Sequence, residues 1–143
     1  MTGRPSLVAI DHDDYHAEYV GRTADGRQFF LTTPFVPGGP EYLALYLFDG
    51  AGTLVEARIQ GLGSRAGLDH QAREALRDEW LAGLGPLSYE RIEVAPFAVT
   101  YDDVEFGLVA RPPADEDDAW WVELEPGNFM AFSEPWDSGE YDT

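Results

Sequence analysis

Cysteine is absent from the 143 residues, which removes disulfide frameworks, thiolate metal sites and cysteine nucleophiles together. Lysine is absent too, so nine bases, all arginine, face 27 acids, and the formal net charge is −18. That balance disfavours nucleic acid as a partner, because phosphate affinity rests on Lys and Arg neutralising backbone charge. Long apolar runs are also missing. The longest, 42–48, is far too short to span a bilayer, and residues 1–6 lack the basic-then-apolar order of a secretory signal. The expected location is therefore the cytoplasm, with no membrane as partner. A chain whose bases are all arginine, rich in Ala, Gly and Pro, reads as the product of a GC-rich bacterial genome.

What is present argues for one folded domain over residues 1–143, since 44% hydrophobic and 13% aromatic content can build a core. Charge is uneven along it. Residues 1–101 hold 14 acids and 8 Arg, net −6, whereas residues 102–143 hold 13 acids and only Arg111, net −12. An acidic tail over 133–143 is expected to be flexible. Acid-rich, lysine-poor surfaces also serve solubility in general and life at high salt in particular.

The pattern of residues predicts an α+β fold: five to eight mostly antiparallel strands packed on one main helix at about 69–83. Ala24-Asp25-Gly26-Arg27 and Asp49-Gly50-Ala51-Gly52 are turn signals between segments able to pair as hairpins. The run 42–48 has the strand propensity of a central strand covered on both faces. Its Leu43, Leu45 and Leu47 share one face, and Tyr42, Tyr46 and Phe48 share the other. Val55, Ala57 and Ile59 alternate with Glu56, Arg58 and Gln60, giving the next strand one apolar and one polar face. Leu68, Ala72, Leu76, Trp80 and Leu84 recur every fourth residue, as in a helix stripe. Asp69 is its expected N-cap and Arg73 the expected ion-pair partner of Asp69. The leucine face is expected to receive this helix, and the tyrosine face to be covered by later strands bearing Trp120, Val122 and Leu124.

Four constellations carry candidate chemistry. Aromatic residues interleave with acids near the C-terminus: Trp121, Glu123, Glu125 and Trp136, with Asp117 and Asp118 nearby. Interfaces favour Trp as an anchor, while surrounding acids steer a basic partner. Alternation sends Trp121 outward beside Glu123 and Glu125. A second set, Tyr42, Tyr46, Glu56 and Arg58, could frame a small ligand. A third, His12, Asp14, His16 and Glu18, falls at alternate positions and offers imidazole and carboxylate ligands to a divalent metal, although neighbours on one strand rarely converge on one ion. Fourth, Glu56, Arg58 and His70 could meet as acid, anion clamp and base. Glycine-rich phosphate loops, dinucleotide fingerprints and nucleophile elbows are absent, so no cofactor is expected, and the reading favours a non-enzymatic protein.

The stretch His16-Ala17-Glu18-Tyr19-Val20-Gly21-Arg22, followed by Asp25-Gly26-Arg27-Gln28-Phe29-Phe30, Tyr46-Leu47-Phe48-Asp49 and Glu56-Ala57-Arg58, resembles a group of small acidic bacterial proteins, often left uncharacterised or labelled formate-hydrogenlyase regulatory-type. The resemblance covers about the first 60 residues. By size, acidity, lack of cysteine and one-helix α+β pattern the chain is also similar to immunity proteins of bacterial toxin systems. Neither resemblance transfers a site by position. The function expected is cytoplasmic binding of a basic protein, of immunity or regulatory type. The alternatives are a small-ligand or metal-binding protein or enzyme, and a self-associating subunit, a homodimer in which the tyrosine face pairs between protomers.

Overall fold

Both turn signals close hairpins, and these set the register of the first sheet. The computed structural model describes residues 6–12, 18–36, 38–64, 67, 69–113, 115, 120–126, 130–132 and 139–141. Between β2 (Tyr19–Thr23) and β3 (Gln28–Thr32), the Thr23 N–H donates to the Arg27 carbonyl at 2.8 Å, and Gly26 takes a φ of 88° that a side chain would resist. The Thr23 hydroxyl donates to the Asp25 carboxylate, bracing the same turn. Between β4 (Pro40–Phe48) and β5 (Leu54–Ser64), Asp49 Oδ1 accepts from the Ala51 and Thr53 N–H groups, each at 2.9 Å. Such a side-chain-to-backbone turn is what Asp does well. With β6 (Leu87–Tyr89) at its far edge, the first sheet has the order β5-β4-β3-β2-β6, antiparallel throughout.

Strand alternation then separates two cores. Leu43, Leu45 and Leu47 join Phe29 and Leu31 on one face, where Trp80 and Leu81 of helix α1 (His70–Ala82) pack on them. Tyr42, Tyr46, Phe48, Phe30 and Val20 occupy the other face. A second antiparallel sheet covers that face: β8 (Phe97–Tyr101), β9 (Val104–Arg111), β10 (Trp121–Glu125), β11 (Met130–Phe132) and β12 (Gly139–Tyr141), in the order β12-β11-β10-β9-β8. Phe106, Leu108, Val122, Leu124 and Phe132 are its inward, buried side chains. The layers are helix, sheet, sheet, and the α+β class is as the sequence implies.

A short third sheet, β1 (Val8–Ile10) with β7 (Ile92–Val94), adds Val8, Ile10, Ile92 and Val94 to the inter-sheet core. Gln28 ties it in place. Its buried amide donates to the carbonyls of Asp49 (3.2 Å) and Glu93 (2.9 Å) and accepts from the Glu93 N–H (2.8 Å), so a polar group lacking solvent keeps its bonds.

Several expectations change in detail. The described residues hold twelve strands, more than five to eight, because three-residue pairings such as β1, β6 and β7 are too short to show a period. The stretch 87–94 is split between β6 and β7, which belong to different sheets. The helix N-cap stands as read, with Asp69 accepting from the Ala72 N–H, and Gly83 ends the helix. The buried stripe differs: Arg73, Leu76, Arg77, Trp80, Leu81 and Leu84 face inward while Ala72 is exposed. A strict four-residue spacing drifts around a helix of 3.6 residues per turn, and the 3–4 alternation keeps the face. Arg73 accordingly pairs with Glu41 on β4, not with Asp69. The expected flexible tail contains β12, which pairs with β11; residues 133–138 and 142–143 lie outside the described residues.

Candidate functional site

Sheet two has an outer face. Trp121, Glu123 and Glu125 project there from β10, alternating with buried Val122 and Leu124, as the sequence implies. Register places Trp121 opposite Arg111 and Glu123 opposite Val109 on β9. Arg111 gathers three carboxylates: Glu123 at 3.1 Å, Glu125 at 3.0 Å and Glu105 at 3.2 Å. Trp121 Nε1 donates to the other oxygen of Glu123 at 2.7 Å, fixing the indole beside the cluster. Three acids on one base leave a formal charge of −2 on this patch.

Electrostatics follow from that crowding. Burial, and then repulsion from Glu123, raise the Glu125 carboxyl above its ordinary value, with Arg111 pulling the other way. The Glu123 hydrogen bond raises the Arg111 guanidinium, so its charge is secure. Glu123 and Glu125 are about four-fifths covered, with side-chain exposures of 19% and 21%, whereas Glu105 is 46% exposed. The inner pair is held in place, and Glu105 is the acid that meets solvent. Asp102 and Asp103 add two exposed carboxylates at the β8–β9 turn, both at positive φ. Asp117, Asp118 and Trp136 lie outside the described residues.

Two of the other sequence constellations do not converge, and the third lies partly outside the described residues. Tyr42 and Tyr46 lie buried between the sheets, while Glu56 and Arg58 pair with each other at 3.0 Å on the opposite face of sheet one. They cannot frame one ligand, because residues opposite one another in neighbouring strands share a face: Arg58 is opposite Leu45 and Glu56 is opposite Leu47, on the helix side. The same burial removes the tyrosine face as a surface for pairing between protomers, since sheet two already covers it. Arg58 instead lies over the Trp80 ring at 5.5 Å, and His70 contacts Arg73 at 3.3 Å, so Glu56, Arg58 and His70 form no acid-clamp-base set. For the metal reading, Asp14 and His16 lie outside the described residues. His12 Nε2 hydrogen-bonds the Glu18 carbonyl at 3.1 Å, and no His, Asp and Glu group able to hold a metal occurs among the described residues.

Sequence reading missed a cleft of about 320 Å³ between the first half of α1 and the strands beside it. Leu31 and Leu43 form its floor, Arg73, Glu74 and Arg77 its helix wall, and Glu18, Tyr19, Thr32 and Thr33 its strand wall. Arg77 lies over the Tyr19 ring at 5.2 Å. Only the drift of the helix stripe, which puts Arg73 and Arg77 on the inward face, signals this site in the sequence.

Every arginine described is engaged by an acid: Arg22 with Glu90, Arg27 with Asp25, Arg58 with Glu56, Arg73 with Glu41, Arg77 with Asp78, Arg91 with Asp11, and Arg111 with its three glutamates. Among the described helices, none is long and apolar enough to cross a membrane. No protein family, curated protein or solved structure was found to match this chain.

Proposed function

We propose that this is a non-enzymatic binding protein whose acidic outer face on sheet two engages a basic protein, in the manner of an immunity or regulatory protein. The observation that carries the reading is the consumption of positive charge inside the molecule. With each described arginine already ion-paired, the remaining carboxylates set the long-range field, and a partner rich in Lys and Arg is drawn in. Trp121 supplies what diffuse charge lacks. It is a large, half-buried aromatic ring held by Glu123, suited to anchor a complex by excluding water.

The structure alters which residues should be tested. Reversing Glu123 or Glu125 would place a base against Arg111, so folding and binding effects would mix. Asp102→Asn with Asp103→Asn removes two charges and keeps residue types that tolerate positive φ. After affinity capture from source-cell lysate and identification of a basic protein, that double variant should slow association and flatten its salt dependence. Trp121→Ala should weaken the same complex at least about tenfold, chiefly through faster dissociation. Capture of no basic protein, or binding indifferent to Trp121→Ala, would remove the proposal.

A further inference from the structure

The cleft beside α1 lies on the helix side of sheet one, across the whole sandwich from the acidic face. Its arginines are paired but not saturated. Arg73 uses Nη1 for Glu41 (3.3 Å) and Nη2 for His70 (3.3 Å), and Arg77 uses Nε and Nη2 for Asp78 (3.1 Å each). Arg73 Nε and Arg77 Nη1 make no bond among the described residues. On the facing wall Glu18 is exposed, and Glu74 stands between the two arginines on the helix. Leu31 and Leu43 lie beneath the cleft, 2% and 0% exposed, and the apolar surface it offers is the half-buried Tyr19 ring.

Charge decides what such a cleft accepts. A simple anion must approach a molecule of net charge −18 and then sit beside two further carboxylates, Glu18 and Glu74. A simple cation is drawn by that charge but leaves Arg73 Nε and Arg77 Nη1 without an acceptor. A zwitterion feels no net repulsion from the whole molecule and finds both signs on the two walls. At about 30 Å³ per water, a cleft of 320 Å³ holds roughly ten waters, or a ligand of similar heavy-atom count.

We propose that this cleft binds a free α-amino acid with an apolar side chain. Its carboxylate is held by Arg73 Nε and Arg77 Nη1, its ammonium group by Glu18 and Glu74, and its side chain by the Tyr19 ring. The donors are fixed before binding, because Glu41, itself buried, clamps Arg73 and the Tyr19 ring supports Arg77.

The test is calorimetric titration of the full chain with L-leucine, followed by N-acetyl-L-leucine, which lacks the ammonium group, and L-leucinamide, which lacks the carboxylate. Leucine should bind, and each analogue should bind at least about tenfold more weakly, the loss expected when a charged partner is left unpaired. Arg77→Gln and, separately, Glu18→Gln should each lower leucine affinity by a similar factor; melting curves for both report whether the fold is intact, and exposed Glu18 is the safer variant. No heat with leucine up to about 10 mM, weaker than ordinary ligand affinity, would overturn the proposal. Equal binding of the N-acetyl analogue, or equal competition by inorganic phosphate, would overturn it in favour of a plain anion site. Trp121→Ala should leave leucine binding unchanged, so this cleft and the acidic face stand or fall separately.

Discussion

At Tyr46 the sandwich holds a phenol whose ring it needs and whose hydroxyl it does not bond. The ring packs edge-on to Phe97 at 4.7 Å and near Phe30 at 6.1 Å, while the buried oxygen has no hydrogen-bond partner among the described residues. Burial alone pushes this phenol far above its ordinary pKa, so it stays neutral. Leaving a buried polar group unpaired costs about 1–3 kcal/mol. Tyr46→Phe keeps the ring contacts and removes that cost, so urea unfolding should show a gain near 1 kcal/mol; a loss would mean that the hydroxyl has a partner the fold depends on. Tyr42 differs by position alone. Four residues earlier on the same face, it reaches the Asp102 carboxylate at 3.4 Å, a weak bond at the open end of the sandwich. From sequence the two tyrosines were equivalent, because alternation gives the face and not the depth.

Elements were legible to the degree that their periods are long. Helix α1 announces itself with an Asp cap, an apolar stripe and glycines at its end. Burial of Trp80 and Leu81 against the leucine face contributes about 1.5–3 kcal/mol each, more than helix propensity supplies. The guanidinium positions of Arg73 and Arg77 on that same face were not legible, since polar residues count against a stripe when read by hydropathy alone. Strand β9 has a hidden requirement as well. Gly107 has a φ of 139°, and a methyl group on it would lie 2.3 Å from the Phe97 carbonyl oxygen, on the strand whose Ala98 it pairs with. Gly107→Ala should therefore cost at least about 2 kcal/mol in chemical unfolding. A neutral result would mean that β8 shifts to make room.

For the whole molecule the dominant quantity is its net charge of −18. A folded chain of this length has a radius of gyration of roughly 14–15 Å. The Debye length is about 30 Å at 0.01 M salt and about 3 Å at 1 M, so at low salt all the carboxylates repel one another, and at high salt only close pairs still interact. Adding sodium chloride from about 0.01 to 0.5 M should raise the melting temperature by several degrees, because screening relieves self-repulsion before it weakens short ion pairs such as Arg111 with Glu125 at 3.0 Å. A melting temperature that falls with salt would show that those pairs outweigh the repulsion.

Composition and period together determined the fold class, the hairpin turns, the helix N-cap, the assignment of leucines to the helix and tyrosines to the second sheet, and the outward direction of Trp121. Each of these is a local property, set by turn chemistry and by periods of 2 and 3.6 residues. Tertiary structure alone decided that Tyr42 and Tyr46 face away from Glu56 and Arg58, that Arg111 holds Glu105, Glu123 and Glu125 together, and that Glu18, Arg73 and Arg77 meet around one cleft. These are encounters between residues far apart in the chain. They depend on sheet order and register, which packing of the assembled layers sets, and no short window of sequence contains them.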